Sequence, residues 1–303
     1  MEHRVVIFGR GSIGMRHLNV FSDLLPQGSV LSLPAGLRQQ ESVESLVQRA
    51  VAHQPTIAII AVPAPFHIPF MAALTGNVSR MLIEKPLCTD RQSLEHFQQR
   101  MDTTDVWVGY NLHYRDEFQF LAEAINGLGP LRWAEFRCGQ SLDQWRPGRD
   151  LTQTVSLKPE WGGGVLWELS HDLEMAQSLL GPLTLDRIHR QRGRFSDGVD
   201  ESAQMLLTGP RQVSVSVNLD FHRTRPERTV TVAGLNGEVE VDLVKCTGYK
   251  SIDGVVEERH FDSTDTYVRQ ASCLLDLADW PHQPNIDSAV QVTELILSAL
   301  EDS

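Results

Sequence analysis

The chain has 303 residues, 41% of them hydrophobic, which is enough for two domains of ordinary size, each with its own buried core. A formal net charge of −12 and the absence of any Lys/Arg-rich run exclude a surface built to neutralise nucleic-acid phosphates. Cys88, Cys138, Cys246 and Cys273 have no C-x-x-C spacing, so neither a disulfide framework nor a zinc site is expected, and no metal is assigned. The N-terminal residues lack a signal-peptide core, and no apolar stretch approaches the roughly 18 residues of a membrane span. The expectation is a cytoplasmic protein with reduced thiols and no nucleic-acid or membrane partner.

The first hundred or so residues alternate short apolar runs with helical patterns, as a parallel sheet with crossover helices does. Val5 to Phe8 is the first predicted strand. A glycine run follows, then a helix from Met15 to Leu25 and a second strand from Val30 to Leu33. After a helix over Val43 to His53, the β-branched run Thr56 to Val62 predicts a strand covered on both faces. A further helix leads to Met81-Leu82-Ile83, then come a helix over Gln92 to Met101 and a strand from Val106 to Gly109. The pattern changes near residue 110. A helix from Glu117 to Ile125 and a strand from Leu131 to Cys138 precede a long loop through Trp145 and Trp161; loops of that length are uncommon unless functional. A helix from Leu166 to Leu180 ends at Gly181-Pro182. Strands are predicted at Leu183–Arg190, Ser202–Leu207, Gln212–Leu219, Arg228–Ala233 and Gly237–Leu243, and a last helix at Ile286–Leu300. The fold class is therefore an α/β doubly wound parallel sheet over residues 1–110, followed by an α+β domain with an open, mostly antiparallel sheet over 111–303. The last helix is free to pack back on the first domain.

Gly9-Arg10-Gly11-Ser12-Ile13-Gly14 is G-x-G-x-x-G after a strand and opening a helix, the context in which this pattern binds dinucleotides. The first glycine permits the tight turn, the second lets backbone approach the pyrophosphate, and the third brings helix and strand close. The acid that would hold an adenosine ribose about 20 residues on is missing: Leu24 to Gln40 contains no Asp or Glu. Ser32 takes that position and Arg38 lies a little beyond. A 2′-phosphate is not repelled, so NADP(H) is favoured over NAD(H), although Ser32 would also serve a 2′-hydroxyl.

Glu84-Lys85-Pro86 falls at the carboxyl end of a parallel strand, where open α/β sheets bind their ligands. With the glycine turn and Arg16-His17, with Ala61-Val62-Pro63 and His67, with Gly109-Tyr110-Asn111, and with Gly162-Gly163-Gly164 leading to Ser170-His171-Asp172, it resembles the Gfo/Idh/MocA oxidoreductases. The resemblance spans most of the chain and implies a Rossmann domain plus an α+β domain whose sheet forms a homodimer or homotetramer interface. Beside Ser32 and Arg38, read above from the missing acid, it implies cofactor contacts from Gly9, Gly11, Ser12, Ile13, Gly14, Ala61, Pro63, His67, Glu84, Lys85 and Asn111. By the same resemblance Lys85 touches nicotinamide and the reacting hydroxyl, and His171 is the proton acceptor. Many relatives carry an Asp four residues before that histidine; here Trp167 stands there, and Glu168, three before, shares a helix face with His171. Arg115, Trp145, Arg146 and Asp172 are the candidate substrate contacts, since aromatic and guanidinium groups suit a sugar face, a carboxylate or a phosphate.

The implied activity is hydride transfer between NADP(H) or NAD(H) and a secondary alcohol or ketone of a sugar, cyclitol or nucleotide-linked sugar. Two alternatives stay open: a redox-neutral elimination or hydrolysis that uses the cofactor transiently, and a non-catalytic dinucleotide sensor.

Overall fold

The computed structural model describes residues 3–35, 41–100, 104–145, 147–148 and 150–301. The chain divides into two compact units. The first comprises residues 1–111, 265–280 and 284–293, the second 112–264, 281–283 and 294–303. The sequence pattern places the division at 110/111 with everything beyond it, the last helix apart, in the second domain; in the structure the segment 265–280 also belongs to the first unit.

In the first unit the elements run β1 (Val5–Phe8), α1 (Ser12–Leu24), β2 (Val30–Leu33), α2 (Val43–Val51), β3 (Ile57–Ile60), α3 (His67–Leu74), β4 (Arg80–Ile83), α4 (Arg91–Gln98) and β5 (Asp105–Val108). The five strands are all parallel, in the order β2-β1-β3-β4-β5. Every residue of β1 and β3 is buried, as their unbroken apolar runs require of strands covered on both faces. The chain order reverses between β1 and β3, and the carboxyl edge beside such a reversal is where open α/β sheets bind ligands. Side chains cap two of the crossover helices: Ser42 accepts from the Ser45 amide at the start of α2, and Asp90 from the Ser93 amide at the start of α4.

The second unit opens with α5 (Asp116–Ile125), β6 (Leu131–Gly139) and α6 (Leu142–Trp145). After single turns within residues 151–161 come α7 (Val165–Glu168) and α8 (Ser170–Leu180). The remaining strands are β7 (Thr184–Gln191), β8 (Ser202–Gly209), β9 (Val213–Asp220), β10 (Glu227–Gly234), β11 (Gly237–Asp242), β12 (Thr247–Ile252) and β13 (Val255–His260). Together with β6 they form one eight-stranded sheet, ordered β13-β12-β11-β10-β6-β9-β8-β7, antiparallel except for the pairing of β6 with β9. The helix α9 (Thr266–Leu274) belongs to the first unit, where Ala271, Leu274 and Leu275 join Val5, Ile7, Val20 and Phe21 in one core. The final helix, α10 (Ile286–Glu301), contributes residues to both units.

Two sequence expectations are corrected. The single helix from Leu166 to Leu180 is two helices, because Leu169 leaves helical geometry at φ −102° and ψ 23°. Leu166, Trp167, Leu169 and Ser170 are all buried, so packing on several sides, not one amphipathic stripe, sets the path there. The hairpin β12–β13 and the helix α9 had not been anticipated. No described helix is long and apolar enough to cross a membrane.

Candidate functional site

The turn after β1 is shaped by contacts that only glycine allows. Gly9 has φ +109°, and a Cβ placed on it would stand 2.2 Å from the Ala61 carbonyl oxygen, at the end of the neighbouring β3. A Cβ on Gly14 would stand 2.1 Å from the Gly9 carbonyl oxygen, so α1 is drawn against the turn that precedes it. Gly11 differs from both, for a Cβ placed on it would meet nothing within 4 Å. It is the N-cap residue of α1, and no side chain caps that helix. Open space next to an uncapped helix N-terminus, with Ser12 and Ile13 exposed, fits a pyrophosphate held by backbone amides and the helix dipole. At the end of β2, Ser32 receives a bond from Arg10: Nε donates to its hydroxyl at 3.3 Å, and a terminal nitrogen to its carbonyl at 2.9 Å. The sequence pattern does not single out Arg10, which stands at an unconstrained place in the glycine motif; Arg38, the sequence candidate for the same role, lies outside the described residues.

The Glu84-Lys85-Pro86 segment leaves β4 beside this turn. The Glu84 amide donates to the Ile60 carbonyl at 3.0 Å, and its largely buried carboxylate accepts a 2.7 Å bond from Nε2 of His17 on α1. A Cβ on Gly109 would come within 2.8 Å of the same carboxylate, which accounts for the glycine after β5. The Lys85–Pro86 peptide is cis, and Lys85 itself is half-buried. His67, expected to contact cofactor, is 1% exposed and has both ring nitrogens on backbone carbonyls, Nε2 at 2.8 Å from Val62 and Nδ1 at 2.8 Å from Pro86. It ties the segment after β3 to the segment after β4, so its influence on a ligand passes through that backbone. Burial lowers its pKa, against the pull of the carbonyl acceptors. Ala61 and Pro63 are half-buried in the same segment, and Asn111 donates to the Thr266 hydroxyl at 2.9 Å.

In the second unit the glycine run makes room for close backbone packing. A Cβ on Gly163 would lie 2.5 Å from the Val155 carbonyl oxygen; Gly162 and Gly164 have φ of +79° and +100°. The Gly164 amide donates to Ser156 and the Val165 amide to Asp200, which fixes the start of α7. His171 is half-buried in the first turn of α8, while Glu168 closes α7 on the far side of the break at Leu169. The continuous helix face they were expected to share is therefore absent. Asp172, expected to touch substrate, is 0% exposed. One of its oxygens accepts a 3.1 Å bond from Arg228, whose Nε donates to the Cys138 sulfur at 3.2 Å. Burial raises the Asp172 carboxyl, with Arg228 opposing, and pushes the Cys138 thiol up to about 12, so this sulfur is no thiolate nucleophile. Arg115 and Trp145 line one cavity of this unit, and Arg146 lies outside the described residues. Glu174 is fully buried and bonded to His113 at 2.6 Å and to Ser178 at 2.7 Å, a packing role.

No family model matches the sequence, and no curated protein matches it. Solved structures do match its fold. An inositol dehydrogenase homolog from Azotobacter vinelandii, complexed with NAD+, superposes with a TM-score of 0.76 at 15% identity, covering 100% of this chain and 96% of its own. UDP-N-acetylglucosamine 3-dehydrogenase GnnA from Acidithiobacillus ferrooxidans gives a TM-score of 0.74 at 15% identity, covering 98% of this chain and 96% of its own. GenD2 from gentamicin A biosynthesis, in complex with NAD, gives 0.72 at 22% identity, covering 99% and 94%. The chain thus shares its fold with these proteins over nearly its whole length.

Proposed function

We propose that this protein is a nicotinamide-dependent oxidoreductase that moves a hydride between the cofactor and a secondary alcohol or ketone of a sugar-like substrate. The observation that carries the reading is the glycine turn: backbone contacts demand Gly9 and Gly14, whereas Gly11 is left with open space at an uncapped helix N-terminus. That combination is what a dinucleotide pyrophosphate needs. The activities named for the structural neighbours, among them a dehydrogenase of a nucleotide sugar and an inositol dehydrogenase homolog, support the substrate class. When bound, the nicotinamide accepts or donates the hydride. Lys85, at the carboxyl end of β4, hydrogen-bonds the reacting oxygen and stabilises its alkoxide character. His171 takes the hydroxyl proton, a task suited to an imidazole at neutral pH. Glu84 and His67 hold the backbone on either side of Lys85.

NADP(H) is the cofactor we favour. Arg10 crosses to Ser32 at the end of β2, the sequence from Leu24 to Gln40 holds no carboxylate to repel a 2′-phosphate, and a guanidinium there binds phosphate with charge-assisted bonds. The test is fluorescence titration with NADPH and NADH on the wild type and on Arg10→Ala. NADPH is expected to bind more tightly, and the variant to lose about tenfold or more of that preference, at about 1.5–3 kcal/mol for bonds to a charged group. Binding of neither cofactor would sink the oxidoreductase reading.

Self-association through the open face of the eight-stranded sheet is part of the same proposal. Thr231, Glu135, Ser216 and Leu206 run in register across that face, and Trp133 and Leu206 are 42% and 52% exposed on it. Sedimentation of the wild type against Trp133→Glu reads this directly, with a smaller species expected from the variant.

A further inference from the structure

A cavity of about 160 Å3 lies within the second unit, and two arginines from different elements line it. Arg115, just before α5, is anchored through Nε and a terminal nitrogen to the Glu117 carboxylate. Arg228, on β10, is anchored through Nε to Cys138 and through a terminal nitrogen to Asp172. The two carboxylates are shut away from solvent, at 2% and 0% side-chain exposure, while each arginine keeps 21%. The acids therefore stand behind the guanidiniums and fix their planes. Among the described residues no hydrogen bond uses the second terminal nitrogen of either arginine. Asp172 holds Arg228 by one oxygen only, its other oxygen having no hydrogen-bond partner. Since a guanidinium has donors and no acceptor, the side that faces the cavity can satisfy only an acceptor. Trp145 and Phe221, with ring centroids 6.2 Å apart, supply an apolar wall of the same cavity, and Leu169, two residues before His171, reaches it too. Glu227 also lines it, but its carboxylate is engaged by Arg223.

We infer that this cavity holds an oxyanion of the substrate, a carboxylate or a phosphate, against Arg115 and Arg228, with Trp145 beside the ring that carries it. At about 160 Å3 the cavity is of a size for one such substituent and not for a whole dinucleotide within it. Charge-assisted bonds from two pre-positioned guanidiniums are about twice as strong as neutral ones, so an anionic substituent is selected over a hydroxymethyl group. The inference rests on the oxidoreductase reading only in calling the bound molecule a substrate.

Calorimetric titration of the intact protein, without cofactor, with D-glucuronate, D-glucose 1-phosphate and D-glucose tests it. The protein is used as wild type and as two double variants, Arg115→Gln with Glu117→Gln and Arg228→Gln with Asp172→Asn, each of which leaves no buried charge unpaired. At least one anion is expected to bind tenfold or more tightly than glucose, and each variant to lose that preference while its circular dichroism stays native. Whether glucuronate or the sugar phosphate binds distinguishes a carboxylate from a phosphate pocket. Equal affinity for all three, no heat from either anion at millimolar concentration, or a preference that survives in both variants would overturn the inference. Anion binding in a protein that never binds a nicotinamide cofactor would keep this pocket and remove the oxidoreductase reading; cofactor binding without anion selectivity would do the reverse.

Discussion

The three glycines of the turn after β1 carry different physical loads, and substitution should separate them. Gly9→Ala and Gly14→Ala each drive a methyl group into backbone, 2.2 Å from Ala61 and 2.1 Å from Gly9, and backbone cannot rotate aside as a side chain can. Gly9 also needs its positive φ. Each should cost on the order of 3 kcal/mol, read as a lower urea midpoint. At Gly11 the backbone has φ −69° and an added Cβ would meet nothing within 4 Å, so Gly11→Val should leave the midpoint near wild type while abolishing cofactor titration. Lys85→Ala, by contrast, should keep cofactor affinity and lose turnover by about a hundredfold or more, the size of effect seen when one electrostatic donor is removed. A Gly11 variant that binds cofactor normally would refute the site. Residues of this kind were legible in the sequence because a glycine motif between a strand and a helix has few other meanings. Arg10 was not legible: nothing in G-x-G-x-x-G constrains its second position, and only the fold carries its side chain to Ser32, 22 residues away.

At the scale of elements, what is held in place is the pair of segments leaving β3 and β4. His67 fastens one to the other through Val62 and Pro86, and its burial keeps its pKa below the ordinary value of 6.5. The unfolded chain then takes up a proton near pH 6.5 that the folded chain resists, so the unfolded state binds more protons and stability rises with pH. This contribution is complete above that value and is lost as the pH falls through it, with a slope of at most about 1.4 kcal/mol per pH unit. Urea midpoints measured across this range should show a slope in the wild type that is shallower in His67→Gln; parallel curves would contradict the assignment. Sequence periodicity found β1 to β11 to within a few residues, since most of them, such as β1, β3, β8 and β9, have buried positions that write an alternating or continuous apolar pattern. It missed β13 because that edge strand is exposed at nearly every position and so carries no alternation. The one usable signal was Asp253-Gly254, both at positive φ between β12 and β13, the dipeptide of a tight hairpin. In the same way Asp172 was read as a pocket residue from its neighbours, whereas its burial and its bond to Arg228 depend on β10, more than fifty residues away in sequence.

For the molecule as a whole, the interleaving of the two units limits how the chain can be cut. Sequence reasoning took residues 1–110 as a domain because the alternation of strands and helices stops there. The core of the first unit does not stop there. Ala271, Leu274 and Leu275, at 1%, 0% and 1% exposure, pack with Val5, Ile7, Val20, Phe21, Ile57, Ile59 and Leu82. Arg80 on β4 donates to Asp276 at 3.1 Å as well as to Asp105 at 2.7 Å, and Arg16 on α1 pairs with Asp265 at 2.7 Å. Deleting the 265–280 segment exposes Phe21 and its neighbours and removes several buried side chains at once. At about 2–5 kcal/mol for each large aliphatic lost from a core, two leucines alone approach the whole stability of an ordinary domain. A fragment of residues 1–111 should therefore show no cooperative urea transition and no dinucleotide binding. Adding residues 265–293 in place of the second unit, through a flexible linker, should restore both. A fragment 1–111 that unfolds cooperatively and titrates NADPH would show that the glycine-turn unit is complete without the returning helix, and that α9 is an addition to its core and not a part of it.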